Sequence, residues 1–220
     1  MKTSILERLH WFKNRIDELG GFTQDFIVKE PATEEEIAQV EARLGIKIPA
    51  DFRNALLNIS SHLEFYWNIF PEETQVLELP DELAEIFSGE LHFGLDLLLD
   101  LEEDRKDWIS ECYPDYNDPY DKIYHNKLAF QKVGNGDFLT IDLEAETYGN
   151  IVYLSHDGSE LHGYVMANSF TRFLDEYTRL GCVGSEDWQW ETFTNNQSTT
   201  IDSQCDNAKL WLKTIGRTEK

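Results

Sequence analysis

Apolar and polar residues are spaced with two periods in this chain, and each period marks a different half of it. In residues 31–59, Ile37, Val40 and Leu44 recur at i, i+3 and i+7, which is one face of a helix. Thr33 precedes them, and Glu36 follows Thr33 by three residues. This is a capping box, in which the hydroxyl takes the Glu36 N–H and the carboxylate reaches back to the Thr33 N–H. Gly45 comes after the last apolar position and can adopt the positive φ of a helix end. Ile46 and Ile48 form a short apolar bridge. Pro49 suits the first turn of a second helix, because its missing N–H would have no partner there. Phe52, Ala55, Leu56 and Ile59 give that helix its own stripe, and the two helices share a core. Each large apolar side chain buried there contributes about 1.5–3 kcal/mol before entropy is charged.

Upstream, Ile5, Leu9, Phe12, Ile16 and Leu19 predict a helix over about residues 3–19, stopped by Gly20 and Gly21 and followed by a linker to Pro31. Downstream, Leu63, Phe65, Trp67 and Ile69 alternate with period two and predict the first strand, ended by Pro71. Residues 71–87 read as a loop with a short helix or strand, and residues 90–93 as a strand. Residues 95–113 read as a helix with Leu98, Leu101, Trp108, Ile109 and Cys112 inward. Residues 128–133 and 138–144 form a hairpin, in which Asn135-Gly136 favours a two-residue turn with positive φ. Strands follow at 151–155 and 161–166. Asn168 or Ser169 then caps a helix bearing Phe170, Phe173, Leu174, Tyr177 and Leu180, closed by Gly181. The tail from 184 to 201 is polar, with Trp188 and Trp190 expected to dock back on the body. A last helix over about 203–215 is expected to bury Ala208, Leu210, Trp211 and Ile215.

Two of these stretches carry a resemblance. A capped E-E-E-I helix, then L-G-I-K-I-P, then an aromatic-led helix is one (Pro31, Thr33, Glu36, Ile37, Leu44, Gly45, Pro49, Phe52, Leu56). The order G-N-G-D-F-L-T-I-D-L, G-N-I-V-Y-L, S-F-x-x-F-L is the other (Gly134, Gly136, Asp137, Phe138, Asp142, Leu143, Gly149, Val152, Ser169, Phe170, Phe173, Leu174). Together they resemble the SUKH superfamily of fungal cell-wall-synthesis regulators and bacterial toxin-immunity proteins. The resemblance implies an α+β fold, a mostly antiparallel sheet of about four to six strands with flanking helices. It gives Thr33, Glu36, Gly45, Pro49, Trp67, Gly134, Gly136 and Asp137 a structural role. The expected organisation is a single domain with its signature over 31–181, a helix and linker over 1–30 and an extension over 182–220.

Composition adds one strong feature, a formal net charge of −23 from 19 basic and 42 acidic residues. Such a chain repels nucleic-acid phosphate and anionic membranes, so neither is an expected partner, and it attracts basic proteins. The first 21 residues are an amphipathic helix pattern and not a signal peptide. No stretch approaches the roughly 20 apolar residues of a membrane span. Cys112, Cys182 and Cys205 are odd in number and widely spaced, which fits reduced thiols and a cytoplasmic location.

Motifs for catalysis are missing. There is no P-loop, GxSxG elbow or HExxH. His156 and His162 flank a turn beside Asp157, but zinc and iron need three or four converging ligands, so they read as solvated turn residues. Residues 115–121 resemble a calcium loop but place Pro119 and Tyr120 at its fifth and sixth positions, where a glycine is needed at the sixth. Asp137 reads as a turn carboxylate holding local amides. Phe65, Trp67, Phe130 and Phe138 read as strand core. No cofactor or metal is expected.

What stands out is acid. Asp96, Asp100, Glu102, Glu103, Asp104, Asp107, Glu111, Asp115, Asp118 and Asp121 face only Arg105 and Lys106 in the same stretch. A second cluster holds Glu72, Glu73, Glu78, Asp81, Glu82 and Glu85. The first set is the candidate docking surface for a cationic protein, against the plain alternative of a solvated face. The expected function is an immunity protein that neutralises a bacterial polymorphic or contact-dependent toxin, for instance a nuclease. An intracellular scaffold or regulator like the fungal branch is the alternative, and an enzyme with an unrecognised site is third. Oligomeric state stays open.

Overall fold

The computed structural model describes residues 2–194 and 200–217. The Asn-, Ser- and Thr-rich part of the tail at 195–199 lies outside the described residues. The chain is α+β, with two antiparallel four-stranded sheets and eight α-helices among the described residues. It forms two compact units. One comprises Met1–Ile27, Glu64–Leu91 and Phe173–Lys220, the other Val28–Leu63 and His92–Arg172.

In the first unit, α1 (Lys2–Leu19) buries Ile5, Leu9, Phe12 and Ile16, as their spacing predicts. Two short strands, β1 (Phe22–Thr23) and β2 (Ile27–Val28), occupy what the sequence presents as linker. They pair with β3 (His62–Asn68), as does β4 (Ser88–Gly94). Two residues are too few for a period-two pattern, which is why the sequence does not announce β1 and β2. Trp67 of β3 is fully buried. Its ring stacks on Trp211 at 5.9 Å, and its Nε1–H donates to the Gly181 carbonyl at 2.7 Å. A Cβ at position 89 would fall 2.1 Å from Trp67 Nε1, so the indole needs a glycine beside it.

Residues 71–87 contain two 3-10 turns, Pro71–Glu73 and Asp81–Leu83. Ser169 Oγ caps α6 (Phe170–Arg179) by accepting the Arg172 N–H at 3.2 Å. Of the two tail tryptophans only Trp190 docks; it sits on α7 (Asp187–Trp190) and is fully buried, whereas Trp188 is 41% exposed. The neighbour that ties this segment down is Gln189, whose Oε1 accepts the N–H groups of Phe87 and Ser88, both at 3.0 Å. The last helix, α8 (Asp206–Thr214), buries Ala208, Trp211 and Leu212, with Ile215 just beyond it. Leu210 is only half-buried, so Leu212 takes its expected place.

In the second unit, α2 (Glu34–Leu44) opens with the full capping box and ends at Gly45 with φ 72°. The Thr33 backbone N–H, then its hydroxyl, hold the Glu36 carboxyl below its ordinary pKa. Thr33→Ala is expected to cost about 0.5–2 kcal/mol, read as a lower urea midpoint at unchanged m-value. Helix α3 (Ala50–Asn58) begins one residue after Pro49, which is the cap residue and not part of the first turn. Phe52 of α3 packs against Phe170 at 4.6 Å, Phe130 at 6.0 Å and Phe93 at 6.1 Å.

The second sheet runs in order β5 (Lys127–Lys132), β6 (Phe138–Asp142), β7 (Ile151–Leu154), β8 (Val165–Ala167). The β5–β6 hairpin departs from the expected two-residue turn. Gly136 N–H reaches the Val133 carbonyl at 2.9 Å, and the Val133 N–H reaches that of Asp137 at 2.8 Å. Residues 134–136 are thus a three-residue loop in which only Gly136 has positive φ (103°). Strand β8 is shorter than its pattern, because Leu161–Gly163 belong to the preceding turn, with Gly163 N–H on the Tyr153 carbonyl at 2.8 Å.

Candidate functional site

The acid-rich helix is α4 (Leu98–Glu111). At about 100° per residue, Asp100, Glu103, Asp104, Asp107 and Glu111 fall on one stripe. Asp100, Glu103, Asp107 and Glu111 are exposed. Asp104 is half-buried and held by Lys132 of β5 at 2.5 Å. The inward face carries Leu98, with Leu101, Trp108 and Ile109 partly buried. Cys112 is exposed and not inward, since the helix has ended at Glu111.

Glu102 corrects the expected surface set: it is buried, 4% exposed. Its angular position is that of Leu98 and Ile109, not of Asp100. Both its oxygens are taken by the equally buried Arg105, Nε at 2.8 Å and Nη2 at 2.9 Å. Glu102 Oε1 also accepts the Ala129 N–H of β5 at 2.8 Å, and Arg105 Nη1 donates to the Tyr124 carbonyl. Residue 102 thereby joins α4 to the sheet and to α5 (Asp121–Tyr124).

The other acids of the set are engaged locally. Asp96 takes His62 Nδ1 at 2.7 Å and Lys29 Nζ at 3.0 Å. Burial works against its charge, but the bonds from His62 and Lys29 outweigh it, and its pKa lies below the usual carboxylate range. Asp115 accepts the Asn117 N–H at 2.9 Å. Asp118 accepts those of Tyr120 and Asp121 at 2.8 and 3.1 Å, and Asp121 accepts that of Asp115 at 3.1 Å. These three shape their own turn. The structure thus brings five of the ten candidates onto one helix face and places the rest in the core, in turns or at the start of α5.

Asp137 is 1% exposed and is more than a turn residue. It accepts Asn135 Nδ2 at 2.8 Å, the His156 N–H at 2.8 Å, His156 Nδ1 at 2.5 Å and the Tyr153 hydroxyl. It therefore joins the β5–β6 loop to the one after β7. His156 lies against Trp108 at 5.4 Å between ring centres. His162 is not a solvated turn residue either: it stacks on Tyr120, and burial pushes its pKa down. Among the described residues no group of three or more His, Cys, Asp or Glu side chains is placed to hold a metal ion.

Two open clefts border the acidic segment. One of about 270 Å³ runs between Asp104, Asp107, Trp108, Glu111, Cys112 and Lys132. The larger, about 470 Å³, lies among Tyr116, Lys122, Lys127, Glu144 and Glu146. Tyr116 and Tyr148 are exposed, and Tyr116 touches Glu144 through its hydroxyl at 3.4 Å. No local pattern marks this acid-and-aromatic edge, because Tyr116 and Glu144 lie 28 residues apart in sequence.

No helix among the described residues is long and apolar enough to cross a membrane. No curated protein sequence matches the chain. A family model does, over residues 31–176, about two-thirds of the chain. That span contains the capping box, Gly45, Asp137 with its hairpin, and α4. The chain belongs to the SMI1 / KNR4 family (SUKH-1).

Proposed function

We propose that this protein is an immunity protein: it binds a cognate bacterial toxin and neutralises it by covering a cationic working surface, such as that of a nuclease. The observation that carries this reading is the outer stripe of α4, four exposed carboxylates on one face with no arginine among them. A net charge of −23 adds long-range attraction for a basic partner. Family membership supports a domain that works by binding, with no chemistry of its own. Asp100, Glu103, Asp107 and Glu111 are the docking residues, with Asp104 shared with Lys132. The test is co-expression with a toxin encoded beside it. Restored growth and a stable complex on a sizing column are expected; a toxin that still kills and elutes separately would overturn the reading.

The family match is equally consistent with a second reading, an intracellular scaffold or regulator like the fungal branch. A scaffold would use the same face for a signalling partner. Gene neighbourhood separates the two: a toxin gene alongside belongs to the first reading, an isolated gene to the second.

A further inference from the structure

The imidazole of His162 is held in a way that only its neutral form satisfies. Nδ1 accepts the backbone N–H of Ser155 at 3.0 Å, and Nε2 lies 3.1 Å from the carbonyl oxygen of Tyr120. A backbone N–H only donates and a carbonyl only accepts. The two partners therefore fix the tautomer, with Nδ1 bare and the hydrogen on Nε2. The ring lies almost flat on Tyr120, 3.9 Å between centres and 21° between planes, with Tyr124 at 5.1 Å. Both phenols donate to one acceptor, the Ser155 carbonyl, at 2.8 and 2.6 Å. The Tyr120 hydroxyl oxygen in turn accepts the Gly158 N–H at 3.0 Å. The Ser155–His162 bond braces the loop after β7 from within, and the others run between that loop and the segment 120–124.

A proton added at Nδ1 would set two N–H groups against each other across 3.0 Å. The bond to Ser155 would be lost, and the turn of the ring that relieves the clash would also carry Nε2 off the Tyr120 carbonyl and the ring face off its phenol. Burial disfavours the charged ring most, and the neighbouring carboxylates favour it only through space. Asp137 and Asp121 are the carboxylates that bear on the ring and Lys127 is the cation. Asp137 is engaged by His156 and Tyr153, and Asp121 by the Asp115 N–H. Lys127 is paired with Asp142 at 3.1 Å and opposes a second positive charge. On the loop itself, Asp157 is bound to Ser155 Oγ at 2.6 Å.

We infer that His162 is the catch of a pH-operated clasp: neutral, it ties the 155–163 loop to residues 120–124, and protonated, it releases that loop. The free energy it contributes is fully present above the ordinary histidine pKa of about 6.5. It is lost as pH falls from there to the lower value of the folded state, because the unfolded chain takes up the proton first. The Tyr124 carbonyl of that segment accepts Arg105 of α4, so release would also loosen the helix that carries the docking face. That consequence rests on the proposed docking function; the clasp itself does not.

The test uses the full-length chain labelled with ¹⁵N. At pH 7.5 the His162 ring should show a bare Nδ1 and a protonated Nε2. Protection of the Ser155 amide and of the Gly158 amide, which bonds across to Tyr120, corrected for intrinsic exchange, should fall about tenfold or more as His162 titrates. His162→Gln should abolish that step and His156→Gln should keep it. A protonated Nδ1 at pH 7.5, unchanged Ser155 or Gly158 protection through the titration, or a step surviving in His162→Gln would each overturn the clasp. The first two are read on the unmodified chain, so a variant that fails to fold does not blunt them. Toxin affinity across the same pH range is measured separately. A clasp that opens while affinity holds would remove only the docking consequence.

Discussion

Glu102→Ala is expected to lower the unfolding free energy by about 3–5 kcal/mol. In a chain of this size that is a fall in melting temperature of about 6–20 °C. The reason is what remains behind. Arg105 is 5% exposed and would keep its charge with both anchoring oxygens gone, and the Ala129 N–H would lose its acceptor inside the core. A charge stranded in this way costs far more than the intact pair contributes, because the pair itself had to be taken out of water. Glu102→Met combined with Arg105→Met should therefore recover most of the loss, since no charge is left to strand. Urea melts of the single and double variants decide the matter. A single variant within about 1 kcal/mol of the parent would show that the pair is not buried in solution.

The same residue shows where the sequence stops being informative. Residues 31–59 were legible because their signals are local. A cap and its acid three residues on, a glycine after the last apolar position and a proline before the next helix all act within one or two turns. The β5–β6 hairpin was legible for the same reason, down to its loop, where the count of residues in the turn depended on Asp137 bonding back to Asn135. By residue type Glu102 groups with its acidic neighbours. Its angle, counted around the helix, groups it with Leu98 and Ile109, and Arg105 three residues on shares that face. A signal was therefore present and needed geometry to be read. For His162 no such signal exists. Its ring partners lie seven and forty-two residues away, at Ser155 and Tyr120, and become neighbours only once the sheet has formed. Trp188 and Trp190 differ for an equally non-local reason: in a four-residue helix, two positions two apart point different ways, and only one could be buried.

Reversing the outer stripe of α4 should separate fold from function. Asp100, Glu103, Asp107 and Glu111 are exposed, so changing all four to lysine should leave the fold intact, each surface change being worth within about 0.5 kcal/mol. Asp104 is left alone because Lys132 holds it. Against a cationic toxin the effect should fall on encounter. Steered association runs near 10⁸–10⁹ M⁻¹s⁻¹ and unsteered association near 10⁵–10⁶, so a loss of about 10²–10³ in the on-rate is expected at low salt. Dissociation should change much less, and the gap should close as salt shortens the Debye length to about 3 Å at 1 M. Net charge alone could slow encounter, and a matched control removes that ambiguity. Glu78, Asp81, Glu82 and Glu85 are also exposed, and turning these four to lysine changes the total charge by the same amount. If the α4 variant slows association strongly and the control only slightly, the helix face is where the partner lands. Equal slowing by both would mean that the protein attracts its partner by total charge and docks it elsewhere.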